Sequence, residues 1–238
     1  MKLALITGGS KGLGAALVQW HLDQGWTVRE YSRSGQGDVH VPCDFSAQDA
    51  GAAVLEGSFA ELAQHPWDVL RLINNAGTLD PIGPLTDSEP SQWRAHLQIN
   101  VAACVTATGL FLKHFSLSQA PQTVVNISSG AAVTPYHGWS LYCASKAALE
   151  AFTRCVALEQ AAAPAPTTVV AIRPGVIETG MQAAIRAQDS AHFAQVEKFR
   201  KLSAEGLLQS PAEAAQRVCG LLARGVRSGE VYDVRDLG

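Results

Sequence analysis

Twelve residues near the start of the chain, ITGGSKGLGAAL at 6–17, decide how the rest is read. An apolar run of strand type, LALIT (3–7), gives way at once to glycines, and an amphipathic stretch from Gly14 to Gln24 follows, stopped by Gly25. A strand that enters a helix through glycines makes a tight turn. Its backbone N–H groups and the helix N-terminus then face outward together, which favours a bound pyrophosphate. Gly8, Gly12 and Gly14 are spaced GxxxGxG, whereas the wider dinucleotide-binding class is marked by GxGxxG. A strand-to-helix turn that binds nothing could use the same glycines, so the surrounding chain must decide.

Outward from this turn, short apolar runs alternate with longer helical patterns. TVREYS (27–32), the weaker VHVPCD (39–44), VLRLINNAG (69–77), TVVNISS (123–129), TTVVAIRPG (167–175) and EVYDV (230–234) read as strands. Helical patterns fill 47–64, 91–115, the stretch after Tyr142, 180–204 and 210–225. Strands separated by helices predict one α/β domain over 1–238, a doubly wound parallel sheet flanked by helices. No repeat or interdomain linker interrupts the pattern.

With 238 residues, 47% of them hydrophobic, the chain can bury a sizeable core. A net charge of −3 offers no basic field for nucleic acid or for an anionic membrane, which leaves a small molecule as the expected ligand. The five apolar residues before Thr7 are too few for a signal peptide, and no stretch reaches the roughly 20 apolar residues of a membrane span. Cys43, Cys104, Cys143, Cys155 and Cys219 are odd in number and form no CxxC, which argues against a disulfide framework or a metal site. A soluble, cytoplasmic protein is expected.

The second strand tests which dinucleotide would bind. In such folds a carboxylate at its tip takes the ribose 2′-OH of NAD, and an Arg accommodates the 2′-phosphate of NADP. Here the strand ends in Ser32-Arg33, and Lys11 lies inside the glycine loop. Glu30 is two residues deeper, too far back to hold a ribose. NADP(H) is therefore the expected cofactor, against the plainer reading that both cations are only solvated.

Tyr142 and Lys146, in YCASK, lie four apart on a helical pattern and so on one face. An ammonium beside a phenol favours the phenolate, so Lys146 is expected to make Tyr142 an acid/base usable near neutral pH. A solvated Lys beside a half-buried Tyr is the plainer alternative.

Taken in order, the motifs resemble those of the short-chain dehydrogenase/reductase family along nearly the whole chain. The glycine motif Thr7–Gly14, Asn74-Asn75-Ala76-Gly77, Asn100 in LQINV, Ser129 in VVNISS, Tyr142 with Lys146, and Pro174-Gly175 followed by Ile177 and Thr179 all match. Ser129 precedes Tyr142 by thirteen positions, the family's customary separation. The resemblance implies a Rossmann-type fold and catalysis by Asn100, Ser129, Tyr142 and Lys146. Tyr142 would deliver the proton, Ser129 would hold the substrate oxygen, Lys146 would also clamp the nicotinamide ribose, and Asn100 would support a water relay. It implies dinucleotide contacts at Gly8, Ser10, Lys11, Gly12, Leu13, Gly14, Ser32, Arg33 and Gly77. By the same likeness Asp44 would hold the adenine amino group, Asn74 and Ala76 would line the adenosine ribose, and Pro174, Gly175, Ile177 and Thr179 would lie at the nicotinamide. Asp44 could equally start the following helix.

For the substrate, the loop GAAVTPYHGWSL (130–141) offers Tyr136, His137 and Trp139, and about 178–208 is expected to close as a lid. Trp139 and Tyr136 could instead pack on the protein, and His137 reads as solvated. The tail SGEVYDVRD (228–236) resembles the sepiapterin reductase and benzil reductase branch of the family. That places Asp233 at the substrate, unless it pairs with Arg235 or Arg227. The resemblance implies an NADPH-dependent carbonyl reductase acting on a ketone or α-dicarbonyl compound. Its alternatives are a secondary-alcohol dehydrogenase, a 3-oxoacyl reductase or a non-catalytic dinucleotide sensor. A homodimer or homotetramer joined through the helices bearing Asn100 and Tyr142 is also expected.

Overall fold

The computed structural model describes residues 1–236. Seven strands, β1 (Lys2–Thr7), β2 (Thr27–Ser32), β3 (His40–Pro42), β4 (Val69–Asn74), β5 (Gln122–Ile127), β6 (Thr168–Arg173) and β7 (Val231–Asp233), form one sheet in the order β3-β2-β1-β4-β5-β6-β7. Every pairing is parallel. The strand order reverses between β1 and β4, so a crevice opens there beyond the carboxyl ends of the strands.

Side chains alternate across each strand, and β1 shows what this does. Ala4 and Ile6 enter a core with Leu13 and Leu17 of α1 (Gly12–Asp23) and Val218 and Leu222 of α8 (Pro211–Ala223). Leu3 and Leu5 enter the opposite core, with Phe59 of α2 (Gln48–Leu62) and Phe111 of α4 (Ala103–His114). Phe59, Phe111 and Tyr31 are fully buried, each stabilising the fold by about 1.5–3 kcal/mol through apolar burial.

The helix expected over 91–115 runs from Pro90 to His114 but changes type midway: α3 (Pro90–Leu97), a π turn over Gln98–Ala102, then α4. By length and composition this run could cross a membrane, contrary to the sequence expectation. Here Ala103, Cys104, Ala107, Thr108 and Phe111 are its buried stripe, which packs on the sheet. The strand expected over 69–77 ends at Asn74, and Asn75–Gly77 form a loop. The helical pattern 180–204 breaks into α6 (Gly180–Arg186) and α7 (Val196–Ala204).

Candidate active site

The glycine loop is fixed almost entirely by hydrogen bonds to backbone groups. Gly8 N donates to Tyr31 O at 2.7 Å, and Gly9 N to Glu30 Oε1 at 2.9 Å. From the loop after β4, Asn75 Nδ2 donates to the carbonyls of Thr7 (3.1 Å) and Gly8 (2.9 Å), while Thr7 Oγ1 accepts from the N–H groups of Asn75 and Ala76. Gly8 has φ +67°, and a Cβ there would lie 2.7 Å from the Cα of Ala76. The loop and the Asn75–Gly77 turn thus close on each other with no room for side chains. Glu30 is occupied by this scaffold, since its second oxygen meets His40 Nδ1 at 2.6 Å.

Beyond the loop, Lys11 and Arg33 are exposed and, among the described residues, have no ion-pair partner. Ser32 Oγ is buried without a hydrogen-bond partner, and Ser10 Oγ lies 3.5 Å from Ser34 Oγ. Asp44 is exposed and binds the N–H and hydroxyl of Ser46; these bonds hold its carboxyl below the usual range, with Arg33 adding a smaller pull. Gly12 faces Thr179, which brings the segment Pro174–Thr179 over the loop.

Three expected contacts are turned inward. Asn74 donates to Thr108 Oγ1 (3.0 Å) and Asn126 Oδ1 (2.9 Å) beneath the cleft, so its side chain cannot line a ribose there. Leu13 and Ile177 are core side chains, so a ligand would meet only their backbone.

On the far side of the crevice Ser129, Tyr142, Lys146 and Asn100 come together. Tyr142, Ser145 and Lys146 are consecutive on one face of α5 (Ser140–Ala161), and Ser129 follows β5. Lys146 is 4% exposed, and its ammonium donates to Ile127 O at 2.8 Å and sits 5.6 Å from the Tyr142 ring centre. Asn100 stands in the π turn, where Ala103 N reaches back five residues to Gln98 O. Its amide pairs with both backbone groups of Thr78: Oδ1 accepts from the N–H (2.7 Å) and Nδ2 donates to the carbonyl (2.9 Å). Gly77 lies at the meeting point, a Cβ there falling 3.4 Å from Asn100 Oδ1 and 3.8 Å from Lys146 Nζ.

The electrostatics correct one expectation. Burial pushes the Tyr142 phenol up to about 12, against the pull of the neighbouring Ser129 hydroxyl, and burial lowers Lys146 to about 8. Desolvation disfavours both charged forms, and the ammonium is turned to the Ile127 carbonyl, so the net shift of the phenol is upward rather than downward. The phenol therefore stays protonated at neutral pH, ready to donate.

The substrate side is aromatic. Trp139 is 5% exposed and stacks on Phe193 at 4.5 Å, with Phe199 and Tyr136 completing the cluster and Tyr142 against its edge at 5.5 Å. Trp139 therefore joins the 178–208 segment to Tyr142 and does not stand as an open wall. Gly138, at φ +82°, meets the loop at His192 so closely that a Cβ would be 2.2 Å from His192 O. Asp233 does pair with Arg235, both carboxylate oxygens being taken (2.8 and 2.5 Å), and the Arg235 Nη2 lies 3.7 Å from where Gly130 would carry a Cβ. The sequence placed Thr7 and Asn75 in matched motifs without a role for either, and His96 was passed over, as was the buried bridge of Glu150 with Ser128 and Arg173, each at 2.8 Å, that ties α5 to β5 and β6. His96 stands four residues before Asn100, a helical spacing that could have found it.

A parallel sheet with a glycine cradle at its switch point and a Ser-Tyr-Lys-Asn cluster across the crevice defines a dinucleotide-dependent oxidoreductase of the Rossmann type. The chain belongs to the short chain dehydrogenase family, which it matches over residues 2–190, and it acts on CH–OH or C=O groups with NAD(P). It is 36% identical over 241 residues to a benzil reductase ((S)-benzoin forming) of Bacillus subtilis (strain 168), with 99% of each chain covered. To a sepiapterin reductase of Rattus norvegicus it is 34% identical, covering 99% of this chain and 97% of the other. A short chain dehydrogenase/reductase of Saccharomyces cerevisiae superposes with TM-score 0.85 at 25% identity, over 98% and 96% of the two chains.

Proposed function

We propose that this protein is an NADPH-dependent carbonyl reductase whose substrates are α-dicarbonyl compounds, with Tyr142 as the proton donor. The observation that carries the substrate choice is the Asp233–Arg235 pair. A carboxylate with both oxygens bound to an internal guanidinium is closed to the amino groups of a pterin. Arg235, held beside the Ser129–Ala131 turn, turns donors toward a second carbonyl oxygen instead. This favours the diketone activity carried by the Bacillus relative over that of the sepiapterin reductases.

The residues fit the cofactor. The glycine cradle admits a pyrophosphate, and Lys11, Arg33 and the unpartnered Ser32 hydroxyl suit a 2′-phosphate. When bound, the dinucleotide supplies the hydride. Ser129 Oγ hydrogen-bonds the substrate oxygen, Tyr142 Oη gives it a proton as charge develops, and the Lys146 ammonium stabilises the phenolate left behind. Asn100 keeps the Thr78 turn and the Lys146 pocket in register.

Loss of NADPH absorbance with benzil, 1-phenyl-1,2-propanedione, sepiapterin, a 3-oxoacyl thioester and a simple ketone, each repeated with NADH, tests the reading. Turnover of the diketones with NADPH supports it, and turnover of sepiapterin or the thioester alone sinks it. The exposed apolar side chains Leu97, Val105 and Leu158 on α3, α4 and α5 suit a homodimer or homotetramer, and five unpaired cysteines suit the cytoplasm.

A further inference from the structure

We propose that His96 is a positioning residue for the reaction, accepting a hydrogen bond from Asn100 and thereby holding that amide, Ser145 and the Tyr142 ring in the arrangement that proton donation needs. His96 is 1% exposed at the end of α3, where an unpaired imidazole would be costly. Its Nδ1 lies 2.7 Å from Asp80 O, a group that can only accept, so Nδ1 carries the proton. Nε2 must then be the acceptor, and it faces Asn100 Nδ2 at 3.0 Å, with Ser145 Oγ at 3.4 Å.

The amide orientation follows from this tautomer. Asn100 Nδ2 meets three acceptors, Thr78 O, His96 Nε2 and Ser145 Oγ (3.2 Å), while Oδ1 meets the Thr78 N–H. Rotating the amide by half a turn would put its oxygen against Nε2 and two donors face to face at Thr78. The imidazole also stands edge-on to the Tyr142 ring, 6.4 Å between centres at 86°, and Ser145 Oγ returns a bond to Tyr142 O at 2.8 Å. One side chain on α3 therefore touches the Asn turn and the Tyr-bearing turn of α5 together.

Three variants test the assignment in the full-length protein, with benzil and NADPH as the assay and thermal melting to exclude unfolding. His96→Ala should lower kcat by about 10²-fold, as small misplacements of catalytic groups do, with the Kd for NADPH unchanged. His96→Gln, whose Oε1 can take the place of Nε2, should restore most of the rate, and His96→Asn, which keeps only a donor for Asp80 O, should not. Equal rates in Gln and Asn variants, or a wild-type rate in folded His96→Ala, would overturn it.

Protonation of His96 would set two donors against each other at Asn100. The groups around the ring are Asp80 from the preceding loop and Tyr142 and Lys146 from α5, and burial together with the Lys146 charge holds the imidazole below its usual range. Wild-type kcat should thus fall on the acid side of that range, and a limb that persists in His96→Gln would count against the proposal.

The inference rests on the proposed reduction only for its rate readout. If no dicarbonyl turns over, the reading of function fails, and the ¹⁵N spectrum of His96 still decides: a neutral Nδ1–H tautomer supports the assignment and an Nε2–H tautomer overturns it.

Discussion

The wall of the cleft that holds the glycine loop is tied by hydrogen bonds that each use a backbone group: the Gly8 N–H to Tyr31 O, the Gly9 N–H to the Glu30 carboxylate, and the Asn75 side-chain amide to the carbonyls of Thr7 and Gly8. The facing wall, from Trp139 across Phe193 to Phe199, is held by ring faces brought together from a loop and the segment of α6, α7 and their connection. Backbone geometry tolerates little change in residue type, since a single Cβ at Gly8 would collide with Ala76. Ring packing accepts many residues of similar volume. A wall built the first way leaves little room for substitution, and one built the second way leaves more.

The largest break in this comparison comes from the group at the junction. Tyr142→Phe removes only the hydroxyl, so kcat should fall by at least about 10²–10⁴-fold with NADPH affinity intact. Steady-state kinetics beside a titration of NADPH fluorescence checks both halves of that statement. Next, Arg33→Ala with Lys11→Ala should weaken NADPH by about 10²-fold, the scale of charge-assisted bonds to a phosphate, and leave NADH unchanged. Equal losses for both dinucleotides would mean the cations shape the loop rather than read a phosphate.

On the facing wall, Gly138→Ala forces a side chain into a left-handed backbone against His192 O. It should raise the substrate KM about tenfold and leave NADPH affinity alone, because the strain falls on the His192 contact. The smallest effect is on stability. Lys146 is held near 8 by burial, well under its free value of 10.5, so the unfolded chain binds more protons between those limits and stability rises with pH across them. Lys146→Met should therefore be more stable than wild type to thermal melting by up to about 3 kcal/mol below pH 8, at about 1.4 kcal/mol per pKa unit, less the bond lost at Ile127 O. The difference should close by pH 10.5, while activity is abolished throughout. A gap that is the same at every pH would show that the buried charge is not its cause.

The same contrast explains how much could be read in advance. The alternation of LALIT with a helix, the Ser-Arg tip of β2 and the Ser129, Tyr142 and Lys146 spacing are local patterns, and the sheet, the glycine cradle and the catalytic cluster follow from them. The inward turn of Asn74 was not legible, because it depends on Thr108 and Asn126, which are 34 and 52 residues away. Nor was the state of the phenol. Four-residue spacing put the ammonium beside Tyr142, but desolvation, a property of everything packed around the pair, sets the direction of both shifts. Trp139 was readable as an aromatic and unreadable as a contact of the 178–208 segment, since Phe193 and Phe199 lie more than fifty positions further on.

The Asp233–Arg235 pair also makes this protein its own competitor. Any ligand that offers an amidine or guanidine to Asp233 has to displace a guanidinium tethered two residues away, whose effective concentration is on the order of millimolar or higher. A guanidino compound that binds such a carboxylate with micromolar affinity where it stands free would lose about a thousandfold here. Arg235→Ala removes that internal cation, so a guanidino compound should bind Asp233 more tightly in the variant than in the wild type, with Ser129, Tyr142 and Lys146 untouched.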